Sequence, residues 1–170
     1  MKNSIETERK YIIRMPDIED LSAQSAFSVS QITQIYLTSP TRITNRVRKR
    51  EYKDKTVYTQ TKKIRIDKIS AHEDEREISE NEYYSLIENI KQGTSPIIKT
   101  RYTFEYLGQI FEIDVYPGWK KTAIMETELD DRYKEVSMPS FIKIIREVTG
   151  VKGYSNAAMS LNFPKEDEIE

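Results

Sequence analysis

The segment Ile5-Glu6-Thr7-Glu8-Arg9-Lys10-Tyr11 holds the first residues whose types and spacing could do chemistry. Side chains of an extended chain alternate between two faces. Glu6, Glu8 and Lys10 therefore share one face, two carboxylates followed by an ammonium. On one strand alone this also describes a solvated surface. The habit recurs, however. Arg42, Thr44, Arg46, Arg48 and Arg50 share a face over 41–51, and Glu73, Glu75 and Glu77 share one over 72–78. Lys99 pairs with Arg101, Glu112 with Asp114, and Glu126 with Glu128 in the same way, while Lys62 ends the run Thr59-Gln60-Thr61-Lys62. The opposite faces of the later segments are apolar: Phe111, Ile113 and Val115 in one, Ala123, Met125 and Leu129 in the next.

These faces need elements to hold them. β-Branched and aromatic content predicts strands over 5–11, 30–37, 41–51, 56–66, 72–78, 97–106, 109–116 and 122–129, joined by short polar or Gly/Pro turns. A short helix is expected after Pro16, with Ile18 and Leu21 facing the core. The clearest helix opens at Ser79, where Ser79 and Glu82 form a capping box. Tyr83, Leu86, Ile87 and Ile90 then make an apolar stripe that Gly93 closes. A helical turn or two is expected over 130–136, a helix over 139–150 carrying Phe141, Ile144, Ile145 and Val148, and a last short helix over 155–161. The pattern predicts an α+β, mainly β chain whose roughly eight antiparallel strands form a β-barrel or strongly curved sheet with flanking helices. Residues 1–163 are expected to form a single domain, and 164–170 an acidic, flexible tail.

The chain has 170 residues, with 27 basic against 28 acidic, a net charge of −1. That argues against nucleic-acid binding through net positive charge. The chain has no cysteine, no apolar run of membrane-spanning length and a start too polar for a secretory signal, so the expectation is a cytoplasmic protein without a membrane partner. Apolar faces turned toward outer helices leave the charged faces pointing inward, where unpaired charges are prohibitively costly. Acids and bases must then neutralise each other or bind something charged: divalent cations for the carboxylates, an anion for the Lys and Arg side chains. A multiply charged anion held through metal points to a polyphosphate. The alternative is a half-open sheet whose charged faces meet water.

The ordered set of segments resembles the CYTH superfamily, the triphosphate tunnel metalloenzymes. Glu6-x-Glu8-x-Lys10 is similar to its E-x-E-x-K signature. It is followed by Tyr36-Leu37, Arg46-x-Arg48, Thr61-Lys62, Glu75-x-Glu77-Ile78, Lys99-Thr100-Arg101-Tyr102, Glu112-Ile113-Asp114-Val115, Glu126-x-Glu128-Leu129, Glu147-Val148-Thr149 and Tyr154-Ser155-Asn156. The likeness runs from residue 5 to about 161 and is strongest to the small bacterial inorganic triphosphatases. It implies an eight-stranded tunnel with Mg²⁺ or Mn²⁺, one or two ions, on Glu6, Glu8, Glu126 and Glu128. Asp114 would hold metal or its water, with Glu75 and Glu77 available to a second ion. Lys10, Arg46, Arg48, Lys62 and Arg101 would grip phosphate oxygens, and Lys99 with Tyr36 would be the catalytic pair. One departure is visible: Gly153 precedes Tyr154, and the basic residue, Lys152, stands one place earlier.

The implied activity is hydrolysis of a linear triphosphate, inorganic tripolyphosphate first, to diphosphate and phosphate. The alternatives are a class IV adenylyl cyclase, a thiamine triphosphatase, or a non-catalytic polyphosphate- or nucleotide-binding module. A homodimer remains open. His72, the only histidine, cannot build a usual His-based zinc site, and Trp119 reads as packing or surface.

Overall fold

A computed structural model describes residues 2–169, with side chains from Ile5 onward. Its strands are β1 (Lys2–Arg14), β2 (Ser25–Leu37), β3 (Ile43–Glu51), β4 (Thr56–Arg65), β5 (Ser70–Ile78), β6 (Ile97–Tyr106), β7 (Gln109–Val115), β8 (Thr122–Glu128) and β9 (Ile144–Glu147). The helices are α1 (Ile18–Ser22), α2 (Glu80–Leu86) and α3 (Asn156–Leu161). All pairings are antiparallel, in the order β5-β4-β3-β2-β6-β7-β8-β1, and a β1–β5 pairing closes the eight strands into a ring. Closure removes the exposed sheet edges.

Local chemistry explains the joints. Leu107 and Gly108 both have positive φ (49° and 75°), the two-residue geometry whose twist matches the β6–β7 hairpin. At the β4–β5 turn, the Asp67 carboxylate accepts the backbone N–H groups of Ile69 and Ser70, both at 2.9 Å. The Ser79 hydroxyl accepts from the Glu82 N–H at 3.1 Å and caps α2, a contact worth about 1 kcal/mol.

The apolar residues form two jackets outside the ring and one plug inside it. Leu21 of α1 packs on Tyr11, Ile13, Phe104, Phe111, Ile113 and Met125. Tyr83 of α2 packs on Ile35, Leu37, Val47 and Ile78. The plug brings Ile12, Tyr36, Tyr116 and Ile124 together with Trp119, Val148, Met159 of α3 and Ile169. Ile12 continues the inward face of Glu6, Glu8 and Lys10; Ile124 continues that of Glu128 and Glu126. The interior thus passes from charged to apolar along each strand, and the apolar end is filled. Burying each such isoleucine contributes roughly 2 kcal/mol.

Several expectations are corrected. Residues 139–150 are not a helix: Ile144–Glu147 is extended as β9 and pairs with Tyr11–Ile13 of β1. β5 pairs with β1 only as far as Thr7, so the rest of that edge needs backbone partners. Lys143 and Lys10 carbonyls accept from Arg14 and Val148 N–H groups as part of that repair. Residues 130–136 contain a turn but no helix. Leu21 enters the core as expected, whereas Ile18 is 42% exposed. The predicted flexible tail is docked as far as it is described. The Glu166 carboxylate accepts the N–H groups of Lys120, Lys121 and Thr122 at 2.9, 2.6 and 2.8 Å, and Ile169 is fully buried in the plug. Glu170 lies outside the described residues. Trp119 proves to be packing, its indole N–H donating to the Pro164 carbonyl at 3.0 Å.

Candidate active site

The ring encloses a cavity of about 700 Å³ above the apolar plug. Strand order divides its wall into two arcs. The neighbours β5, β1, β8 and β7 turn in Glu73 and Glu75, Glu6 and Glu8, Glu126 and Glu128, and Glu112, with Lys10 among them. The neighbours β6, β2, β3 and β4 turn in Arg101, Tyr36, Arg46, Arg48 and Arg50, and Lys63 with Arg65. Register makes the acidic arc crowded, since Glu8 stands opposite Glu128, and Glu112 opposite Glu126. Like charges directly opposite each other destabilise a sheet unless a cation lies between them.

Bases supply part of that compensation. Arg101 binds Asp114 through two parallel bonds (2.7 and 2.8 Å), and also reaches Glu112 and, at 3.4 Å, Glu126. Lys10 Nζ lies 2.7 Å from Glu126 and 3.9 Å from Glu8, and Lys63 pairs with Glu6 and, at 3.5 Å, with Glu73. Burial opposes the charged form of each, but Glu126 with Lys10 and Arg101 overcomes it, so the Glu126 carboxyl is held well below its usual range and Lys10 is raised. The Asp114 carboxyl is likewise held low, with Arg101 and Lys99 outweighing its burial.

The basic arc differs. Arg48 donates from two nitrogens to the Gln34 Oε1 (3.2 and 3.1 Å), and Arg50 to the Ser30 hydroxyl at 2.9 Å. The buried Nε of Arg46 has no hydrogen-bond partner. Burial, then Arg46 and Arg101, lowers Arg48 to about 10, so it is still a cation at neutral pH but a disfavoured one. On this wall only Arg48 and Arg50 are met by neutral acceptors; the pKa of Arg46 is raised against its burial by Tyr36 and by Glu73, Glu6 and Glu75 across the cavity, and Arg101 and Lys63 are ion-paired.

The remaining residues singled out in the sequence fall as follows. Lys99 is fully buried below the open cavity, its Nζ 2.5 Å from Asp114. Burial lowers it to about 8, with Arg101 and Arg48 adding to the effect and Asp114 opposing it. The Tyr36 hydroxyl reaches the cavity and accepts from Gln34 Nε2 at 2.7 Å; its pKa is raised by burial. Among the described residues no hydrogen bond joins Tyr36 to Lys99. Glu75 lines the cavity and accepts from the Thr61 hydroxyl at 2.8 Å, whereas Glu77 is exposed and outside the lining. Lys62 is corrected: it is exposed on the outer face, and its neighbour Lys63 points inward opposite Glu73. Arg65 and Lys152 also line the cavity and were missed; the alternation Thr59, Thr61, Lys63, Arg65 was the available signal.

The donor set suits a hard divalent cation, for it is all carboxylate oxygen and includes the facing pair Glu8 and Glu128. Among the described residues no three carboxylates converge tightly as they stand, because Glu6, Glu112 and Glu126 are each drawn to a base. Glu8 and Glu128 stand directly opposite each other in the β1–β8 register.

A closed antiparallel ring with an acidic and a basic inner wall defines the triphosphate tunnel fold of the CYTH superfamily, and the chain has that fold. No family model and no curated protein sequence matches the chain; the likeness is to solved structures. One is the inorganic triphosphatase NE1496, 28% identical, with a TM-score of 0.58 over 94% of this chain and 96% of that one. A second, PH1819 from Pyrococcus horikoshii, is 22% identical, with a TM-score of 0.59 over 75% of this chain and 80% of its own. A third, described as an adenylate cyclase candidate from Bacillus halodurans, is 18% identical, with a TM-score of 0.55 over 78% and 84%. The last two bear on fold alone.

Proposed function

We propose that the protein hydrolyses linear triphosphates, inorganic tripolyphosphate first, to diphosphate and phosphate in the cytoplasm, with Mg²⁺ or Mn²⁺ bound. The observation that carries this reading is the pair of opposed arcs. Half-buried Arg46 and Arg48 have no carboxylate hydrogen-bond partner among the described residues and face a wall of glutamates across a cavity of about 700 Å³. A bare anion binder gains nothing from that acidic wall, whereas a metal–polyphosphate complex satisfies both arcs. The likeness to an inorganic triphosphatase over nearly the whole chain supports the same reading.

Glu6, Glu8, Glu126 and Glu128 are the proposed ligands of the ion, with Asp114 behind them. The ion would neutralise phosphate charge and polarise the attacking water. Arg46 and Arg48 hold non-bridging oxygens of the chain by their planar forks, and Lys10 and Lys63 hold them as point charges. These cations also spread the charge of a loose transition state. The water oxygen forms a bond to the terminal phosphorus as the bridging P–O bond breaks, and diphosphate leaves with the bonding pair. The water's proton passes, directly or through Tyr36, to the free-amine form of Lys99, which a pKa lowered to about 8 makes a minority at neutral pH and the majority above that pKa.

Tyr36 is the only aromatic side chain lining the cavity among the described residues, and Trp119 is committed to the plug. With no stacking platform for a purine or thiazolium ring, the inorganic chain is favoured over ATP or thiamine triphosphate. Phosphate release from tripolyphosphate, ATP, thiamine triphosphate and pyrophosphate, each with Mg²⁺ and with Mn²⁺, tests the proposal. Tripolyphosphate should be fastest; cyclic AMP as the main product from ATP, or no metal-dependent release, would overturn it.

A further inference from the structure

A second cavity, of about 330 Å³, opens off the tunnel. It lies between the β4–β5 turn and the segment after β9, and shares Glu8, Lys10, Arg65, Lys152 and Ser155 with the tunnel wall. Lys68 and Thr149 line it without lining the tunnel. The two segments meet at Gly150, which has a φ of +69°. A Cβ there would come within 2.8 Å of the Lys68 carbonyl oxygen. Only glycine permits that approach, so the junction fixes Lys68 beside the cavity.

The lining leans basic, with Lys10 and the exposed Arg65, Lys68 and Lys152 against Glu8 and Asp67, and Glu8 lies 3.9 Å from Lys10. Lys10 is engaged by Glu126, but Arg65, Lys68 and Lys152 have no acidic partner among the described residues. Asp67, the acid on the same turn, is already committed to the Ile69 and Ser70 N–H groups and to Arg132 at 3.2 Å. Three cations around one concavity repel one another, and an anion held among them reverses the sign of the interaction. The concavity also continues a tunnel whose basic wall suits phosphate oxygens.

We propose that the side cavity is a phosphate subsite that takes the distal end of a linear polyphosphate longer than three phosphates, while the first three lie in the tunnel. The proposal rests on the triphosphatase reading and extends its substrate class. Free orthophosphate presents the same chemistry, so the test separates the two sources. Equilibrium binding of tripolyphosphate, tetrapolyphosphate and orthophosphate is measured on the full chain without metal, so that turnover does not interfere. Wild type is compared with Lys68→Ala and Lys68→Arg.

Lys68→Ala should weaken tetrapolyphosphate binding about fivefold and tripolyphosphate binding less than about twofold, a gap that narrows in about 0.5 M salt. Lys68→Arg should restore the longer chain. Equal loss for both lengths, or none, overturns the subsite and leaves the tunnel reading standing. Lys68-dependent orthophosphate binding without a chain-length effect assigns the cavity to free phosphate and likewise overturns the chain-end role. If neither chain binds the wild-type protein, the subsite falls; the triphosphatase reading falls with it only if metal-dependent phosphate release from tripolyphosphate is also absent.

Discussion

The two arcs of the tunnel wall solve the problem of interior charge in opposite ways. On the acidic side the carboxylates are drawn to bases, with Arg101 alone touching Asp114, Glu112 and Glu126. On the basic side Arg48 and Arg50 rest on an amide and a hydroxyl, and Arg46 keeps a buried Nε unsatisfied. One arc is internally neutralised and structural in character. The other is compensated only in part: Arg48 and Arg50 have no carboxylate hydrogen-bond partner among the described residues, while the pKa of Arg46 is raised by Glu73, Glu6 and Glu75 without a bond at its Nε. Two arginines of the basic arc therefore have different work: Arg101 fastens the acidic wall, and Arg48 rests on a neutral amide.

Substitutions can break or sharpen that contrast. The largest effect is expected for Glu8→Gln, which should lower metal-dependent tripolyphosphate hydrolysis by about a hundredfold or more while leaving the folded spectrum intact. Initial rates against metal concentration, with circular dichroism, check this. Next, Arg101→Leu should cost about 3 kcal/mol of stability by stranding buried carboxylates, whereas Arg48→Leu should be nearly neutral or stabilising yet weaken substrate binding about tenfold. Urea unfolding beside KM measurements separates the two; equal losses of stability would dissolve the distinction between the arcs. Lys63→Ala should raise KM about tenfold, and Lys62→Ala should leave it unchanged, since only Lys63 points inward.

The smallest effect concerns the strap under the plug. Backbone N–H groups of Lys120, Lys121 and Thr122 outweigh partial burial and lower the Glu166 carboxyl to about 2 from its ordinary 4.5. A depressed carboxyl contributes stability that is fully present above about pH 4.5 and is lost as pH falls through about 2. Wild type should thus melt above Glu166→Gln at neutral pH, with the gap closing between those two values. A gap independent of pH would remove the carboxylate from the account.

Much of this was legible in the sequence because charge alternates with period two in strand after strand. Glu6, Glu8, Arg46, Arg48, Glu126 and Glu128 all reach the cavity their parity assigned them. The closed end was not read from the sequence, although the change from Glu8 and Lys10 to Ile12 and from Glu126 to Ile124 accompanies it. What misled was local ambiguity. Lys62 and Lys63 are adjacent, and one residue of register decides which enters the tunnel. Phe141, Ile144, Ile145 and Val148 carry helical spacing, yet the unpaired edge of β1 drew 144–147 into a strand. The acidic composition of the tail concealed one carboxylate that binds three backbone N–H groups.

The sequence by itself determined that the strands have one charged and one apolar face, because alternation is a property of the extended backbone and needs no partner. Only the tertiary structure decided the order of those strands around the ring, and with it the separation into an acidic and a basic arc. It also decided which base neutralises which acid and which arginines remain without one. Those outcomes depend on strand pairing and register between residues far apart in the chain, set by the closure of the whole ring.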